Sequence, residues 1–435
     1  MSSADRIKVP VSQLEIGMYV CELDRPWLES PFQFQGFPLR TTEDIKAVQE
    51  TCSYVYVDTE KGGTPRLTQP TPPRGISSAA NEPRPRGPDP RRKGKLGGLL
   101  RSLARRMPTH RSVKEAIESV EAARRPFGET TDFVRTLITD VRGGHTVDMV
   151  AVKEVVTACA DQITRNADAM LLLSSIRDKD EYTSRHSINV GILSMLLGHR
   201  LGMPKTRLEQ LGMGGLLHDV GKIRAPEEVL NKPGRLTQEE FQIIKMHAAQ
   251  GRDILISSQG ASSSVINVAY SHHERMDGSG YPCGLKEDEL DLFTRIAGVA
   301  DTFDAVTSDR VYSNRRTTIE AIKILQSSSG DLYDSELVST FLRALGLYPP
   351  GSIIQLTDGR IGVVIRTNPK NEFRPLVLVF KNAKHRTVPP HYVDLADFSG
   401  KPDKKLKITR VLQPDECNID RSVLGNPDYL KEISP

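Results

Sequence analysis

The strongest constraint on this chain is a set of polar residues placed where helical periodicity calls for apolar ones. Between residues 111 and 345 the pattern is helical, with long 3.6-residue stretches and few β-branched runs. In SRHSINVGILSMLLG, His186 shares a face with Val190, Leu193 and Leu197. In LGMGGLLHDVGK, His218 and Asp219 follow an apolar turn. His247 aligns with Ile243, Gly251 and Ile254. His272 follows Val268 and Ala269, and His273 follows Ile266 and Ala269. In RIAGVADTFDAVTSDR, Ala297, Asp301, Asp304, Ala305 and Ser308 form one small, acidic stripe.

One histidine on an apolar face is ordinarily a hydrogen-bonded core residue. Burying unpaired polar groups on five helices of one domain is costly five times over. A shared polar centre, in which neutral imidazoles and carboxylates bind metal, removes all five costs together. No cysteine joins the set, which argues against a structural zinc site, and mixed N/O ligands suit Fe, Mn, Zn or similar divalent ions. The candidates outnumber one tetrahedral shell, so two ions bridged by a carboxylate are expected. Such a pair suits phosphoester hydrolysis.

The rest of the chain sets this domain in context. Residues 1–60 alternate β-prone pieces (IKVP, GMYVCEL, FQFQGF, SYVYVDT) with turns and one short helix, TTEDIKAVQETC, and predict a small α+β domain. Residues 61–110, rich in Pro, Gly, Arg and Ser, cannot bury enough apolar surface to fold and read as a disordered linker. Its basic run, Arg91, Arg92, Lys93 and Lys95, is read as a solvated segment. Residues 346–435 return to strands (SIIQLTDG, IGVVIRT, PLVLVFKN) and predict a small β-rich domain with a partly extended tail.

The expected fold class is therefore mainly α, an all-helical domain at 111–345 flanked by small β-rich domains. The 59 Lys+Arg against 55 Asp+Glu leave a net charge of +4, too little to imply a nucleic-acid polymer as partner. Five scattered cysteines without CxxC spacing fit a reducing cytoplasm. Neither a signal peptide nor a transmembrane segment is expected, since no run approaches 18 apolar residues.

His186, HDVGK at 218–222, His247, HHERMDGSGYP at 272–282 and DTFDAVTSDRVY at 301–312 together resemble the HD-GYP subgroup of HD-superfamily phosphohydrolases. The motifs occur in the family's order over about residues 150–340. The first sixty residues resemble the small N-terminal domain of unknown function often fused to HD-GYP domains. The resemblance implies a cyclic di-GMP phosphodiesterase producing pGpG and/or GMP, lowering a messenger that controls biofilm and motility.

By motif, the resemblance implies that His186, His218, Asp219 and Asp301 hold one metal. Asp219 bridges to a second ion held by His247, His272 and His273. Iron or manganese is the implied pair. Lys222 is implied near the scissile phosphate as charge stabiliser or proton donor. Arg310, Tyr281, Gly280 and Asp304 are implied around the substrate. The GYP loop is also implicated in docking diguanylate cyclase (GGDEF) domains, and regulation through a homodimer fits the architecture.

Two departures from the family stand out. Tyr182 replaces the glutamate that supports a third metal in some members, leaving Glu181 or Asp178 as the nearby carboxylates. Asn314 replaces a phosphate-contacting lysine, with Arg315 and Arg316 as the adjacent cations. The second departure motivates an alternative, a weakly active or inactive nucleotide sensor or scaffold that docks GGDEF partners. A third reading is an HD enzyme for another nucleotide, a nucleoside triphosphate, (p)ppGpp or a different cyclic dinucleotide, of which the HHE and GYP motifs argue against the first two.

Overall fold

The structure is a computed structural model. It describes residues 6–24, 37–39, 42–58, 113–176, 182–232, 234, 236–308, 316–396, 406–417, 419 and 422–432. The linker read at 61–110 lies outside them, as do Glu181, Asp178, Arg310, Asn314 and Arg315. The chain forms two compact units, Met1–Asp89 and Pro90–Pro435.

In the first unit, strands β1 (Arg6–Pro10), β2 (Tyr19–Leu23) and β3 (Phe37–Pro38), helix α1 (Thr42–Thr51) and strand β4 (Tyr54–Asp58) build an antiparallel sheet of order β1-β4-β2-β3. Alternation does the work. Val55 and Val57 of β4 are buried with Val9, Val20 and Val48, giving the sheet one apolar face.

The second unit begins with the long helices α2 (Val113–Arg142) and α3 (Met149–Ser175). Asp148 caps α3 by accepting the amides of Val150 and Ala151, and extended backbone at Asn166 breaks the helix. Next come α4 (Tyr182–Arg200), α5 (Lys205–Leu217), α6 (Glu227–Leu230), α7 (Gln238–Ser257), α8 (Ser263–Ser271), α9 (Leu292–Thr307), α10 (Thr318–Ser327) and α11 (Ser335–Leu345). Capping boxes start α7 (Thr237 with Glu240) and α10 (Thr317 with Glu320). At the end of α11, Gly346 takes φ 73°, a conformation that stops a helix at little steric cost.

Close approach of backbones places the histidine-bearing elements. A Cβ at Gly215 of α5 would lie 2.7 Å from Gly191 Cα of α4, so only glycine lets these helices cross this tightly. That crossing brings His186, on α4, beside His218 at the end of α5. A Cβ at Gly221 would lie 2.0 Å from the His247 carbonyl oxygen. The 3-10 turn Val220–Arg224 can therefore lie directly on α7, beneath His247.

The strands β5 (Ile353–Leu356), β6 (Ile361–Arg366), β7 (Leu376–Lys381), β8 (Thr387–Asp394) and β9 (Ile408–Leu412) form an antiparallel sheet of order β8-β7-β6-β5-β9. Its central strands are buried on both faces. Ile361, Val363, Ile365, Leu376, Leu378 and Phe380 join the helical core, whereas Val364, Val377 and Val379 form a smaller core with Ile354, Leu356 and Leu395. The sheet is thus packed onto the helices and shares their core. Asp168 of α3 fastens it by accepting the Thr367 amide at 2.9 Å and the Thr367 hydroxyl.

Two strands were not legible in the sequence. β8 carries Pro389 and Pro390, which suit only an edge strand, and β9 lies in what reads as tail. The tail then adds α12 (Pro414–Cys417) and α13 (Pro427–Glu432), whose Leu430 is buried in the helical core. Among the described residues no helix is long and apolar enough to cross a membrane, and all five cysteines are free thiols.

The α4–α5 crossing is directly testable. Gly215→Ala is expected to lower stability by about 1–3 kcal/mol, the cost of overpacking a filled contact. Gly128→Ala, on α2 where an added Cβ meets nothing within 4 Å, is expected to raise stability by up to about 1 kcal/mol. Chemical denaturation of both variants checks the contrast, and an equal loss in each would refute the close-crossing account.

Candidate metal centre

The histidines and aspartates singled out in the sequence converge into two adjoining groups. His186, His218 and Asp301 form one, and Asp219, His247, His272 and His273 the other; ligand atoms within each group lie within 4.8 Å of one another. Asp219 stands between them. Its Oδ2 is 3.3 Å from His218 Nε2 and 3.5 Å from His186 Nε2, while its Oδ1 is 3.3 Å from His247 Nε2 and 3.7 Å from His272 Nε2. Asp301 Oδ1 lies 3.1 Å from His186 Nε2, and its Oδ2 is 3.9 Å from His273 Nδ1.

The other ring nitrogens explain why these geometries hold. His218 Nδ1 is 2.7 Å from the Gly215 carbonyl oxygen, and His247 Nδ1 is 2.6 Å from that of Ile244. His272 Nδ1 faces the carbonyls of Val268 and Ala269 at 3.1 and 3.2 Å. In each case Nδ1–H donates to its own helix, so Nε2 carries a lone pair directed inward. His186 uses a carboxylate instead: its Nδ1 lies 2.7 Å from Asp304 Oδ2. Asn189 donates to Asp304 Oδ1 at 2.8 Å and Ser308 to Oδ2 at 3.0 Å, so three groups orient one imidazole.

These residues fit a cation. His247 and His272, both held neutral, face each other Nε2 to Nε2 at 3.3 Å, with their Nδ1 atoms already engaged. Lone pair against lone pair is repulsive unless positive charge lies between. Asp219 Oδ1 is likewise buried without a hydrogen-bond partner, a costly condition for a carboxylate oxygen. Nitrogen and carboxylate donors without sulfur suit divalent first-row metals.

Electrostatics agree with this donor set. Burial pushes His247 down to about 3 and lowers His272 and His273, so all three are neutral and ready to ligate. Burial alone would raise Asp219 and Asp301. His218 and Lys222 hold Asp219 well below the usual carboxylate range, and His186 does the same for Asp301. His186 is the exception among the histidines. Burial would lower it, but Asp301 and Asp304 outweigh burial and raise it to about 9.

Around this centre, Lys222 is about a quarter exposed, and its ammonium lies 2.5 Å from Asp219 Oδ2. Tyr281 stacks on His273 at 4.6 Å between ring centroids with 29° between planes. Gly280 is required by closeness and does not adopt positive φ: its Cβ would lie 2.4 Å from Glu274 Cα. The positive φ values of the loop fall instead on Gly278 (80°) and Gly284 (70°). Asp304, grouped with the substrate residues by its motif, sits buried behind His186. Arg316 follows the undescribed segment, its amide donating to the Val306 carbonyl at 3.3 Å. Of Tyr182 only the backbone is described.

Glu274 was not singled out from the sequence. It is buried, and its carboxylate accepts the amides of Cys283 (2.6 Å), Gly284 (3.2 Å) and Leu285 (3.0 Å). It therefore anchors the far side of the GYP loop to the end of the histidine pair. Its adjacency to His273 in HHE was the available signal. Asn189 gave none, being one polar residue on a long helix.

A helical unit that encloses seven inward-facing His and Asp donors defines a metal-dependent hydrolase of the HD class. Residues 171–337 match the HD domain model, residues 6–152 a domain of unknown function (DUF3391), and residues 353–419 a KOW domain associated with HD domains. A cyclic di-GMP phosphodiesterase of Pseudomonas aeruginosa is 32% identical over 393 residues, covering 89% of this chain and 88% of the relative. One of Thermotoga maritima is 40% identical over 192 residues, 44% of this chain and 52% of the relative. A 3′3′-cGAMP-specific phosphodiesterase of Vibrio cholerae is 38% identical over 177 residues, 40% of this chain and 41% of the relative. The chain belongs to the HD-GYP family of metal-dependent phosphodiesterases.

The raised His186 gives a pH prediction. Below about pH 9 the metal-free protein carries a proton on His186. Ligation requires its release, so metal affinity falls as pH drops below that value. Calorimetric titration with Mn(II) at pH 7.5, in buffers of different ionisation enthalpy, is expected to show about one proton released on filling this group. No proton release would contradict the His186 environment described above.

Proposed function

We propose that this chain hydrolyses cyclic di-GMP at a two-metal site bridged by Asp219. The observation that carries this reading is the buried Asp219 carboxylate, whose two oxygens lie 3.3 Å from His218 of one donor group and 3.3 Å from His247 of the other. His186, His218 and Asp301 would hold one ion, and His247, His272 and His273 the other. Bound divalent ions supply Lewis-acid charge and lower the pKa of water for attack at phosphorus.

The protein's own groups do the rest. Lys222, at the open side of Asp219, reaches a phosphate oxygen, where its ammonium offsets developing negative charge or gives a proton to the leaving ribose oxygen. Asp304, clamped by Asn189 and Ser308, holds His186 in one tautomer and orientation. Glu274 fixes the GYP loop so that Tyr281 keeps His273 in place.

Cyclic di-GMP is favoured over a mixed dinucleotide by the extent of the similarity. The Pseudomonas cyclic di-GMP enzyme matches across 89% of the chain, whereas the Vibrio cGAMP enzyme matches 40%. Iron or manganese is the metal pair proposed, and pGpG or GMP the product. The five free thiols support a reducing, cytoplasmic setting.

Anaerobic purification, elemental analysis and chromatography of cyclic di-GMP turnover on one sample test the proposal. About two Fe or Mn per chain together with pGpG or GMP are expected. Asp219→Ala and His218→Ala are expected to lower turnover by at least about three orders of magnitude and to reduce bound metal. Full activity in either variant refutes the site. Two metals with tight nucleotide binding and no product would favour the sensor reading.

A further inference from the structure

The sequence aligns His247 with Ile243 as one apolar face, but α7 behaves otherwise. Its first half stands out of the core, leaving Phe241 44%, Ile243 37% and Met246 55% exposed. The helical core takes over only from His247 onward, through Ala248, Gly251, Ile254 and Leu255. Phe241 nevertheless has a defined setting. Its ring meets Tyr281 edge to face, at 6.4 Å between centroids and 79° between planes. Lys245, one turn further along α7, places its ammonium 4.8 Å from the Phe241 centroid and 4.9 Å from that of Tyr281.

Among the described residues, no carboxylate pairs with Lys245. Tyr281 in turn stacks on His273 and meets His247 edge to face at 6.4 Å. An aromatic series thus runs from the metal centre, through Tyr281, to an exposed phenyl ring with the Lys245 ammonium over it.

We propose that Phe241, with Lys245 and Tyr281, is a purine-binding platform: the base of a nucleotide stacks on Phe241, and Lys245 meets its phosphate. With Tyr281 at 79° to it and the Lys245 ammonium over its ring, Phe241 still stays 44% exposed, and an exposed aromatic face can stack any purine. A cation beside the ring favours an electron-rich base and its anionic phosphate over a purely apolar partner. Position supplies the remaining argument, since the platform is continuous with the residues that ligate metal. The assignment rests on the cyclic dinucleotide reading above and deepens it, naming residues that hold a purine base while the metal centre acts on the phosphodiester.

Calorimetry on the metal-loaded full chain, comparing 5′-GMP with ribose 5-phosphate, tests this independently of turnover. The two probes share a phosphate and differ by the base. Wild-type protein is expected to prefer GMP by roughly tenfold, the worth of one base stack on an aromatic ring. Phe241→Ala and Phe241→Leu are expected to abolish that preference, and Phe241→Trp to retain it, with metal content and melting temperature unchanged as controls on folding.

Equal affinity of the wild type for both probes overturns the platform, as does a preference that survives both Phe241→Ala and Phe241→Leu. Turnover of cyclic di-GMP on the same samples separates the two readings. Cleavage without base preference removes the platform alone. Base preference without cleavage keeps the platform and removes the phosphodiesterase assignment.

Discussion

Imidazole nitrogens from four separate elements face a buried carboxylate in this protein, and the helical unit is organised around that arrangement. Without a cation, Asp219 Oδ1 has no partner, and the neutral His247 and His272 confront each other Nε2 to Nε2 at hydrogen-bond distance. Desolvating such groups costs several kcal/mol apiece if nothing compensates. The fold accepts this because outward bonds hold each ring. Three histidines donate to carbonyls of their own helices, and His186 to Asp304. The donors are thus preorganised by bonds directed away from the site they form.

The same economy extends outward. Glycines at 191, 215 and 221 remove the side chains that would separate α4, α5, the Val220–Arg224 turn and α7. Their absence of bulk converts helix packing into nitrogen-to-nitrogen proximity. On the other side, Glu274 gathers three amides of the GYP loop into one buried carboxylate. The loop then presents Tyr281 to His273. A single run, HHERMDGSGYP, therefore contributes two histidines of the candidate metal centre, a loop anchor and an aromatic wall.

Much of the centre was legible in the sequence, because a His or Asp on an apolar helical face stands out against its neighbours. His186, His218, Asp219, His247, His272, His273 and Asp301 all break periodicity in this way, and the structure gathers them together. Strands β5, β6 and β7 were legible as short, β-branched apolar runs bounded by turn residues. β8 was hidden by two prolines and β9 by a polar, basic context. Glu274 and Asn189 were hidden because a buried polar residue that serves another residue has no spacing of its own. The expectation for Ile243 failed because periodicity reports what a face can bury, while exposure depends on whether anything packs there.

From the sequence alone follow the mainly helical class, the candidate donor residues and the kind of metal chemistry that such a set permits. These depend on residue type and on the 3.6-residue period, both of which are local. Only the tertiary structure decided that Asp219 stands between two donor groups, that Asp304 lies behind His186, and that Phe241 stands exposed beside Lys245 and Tyr281. Those relations join residues from separate elements, and they are set by how closely backbones can approach, which no single segment encodes.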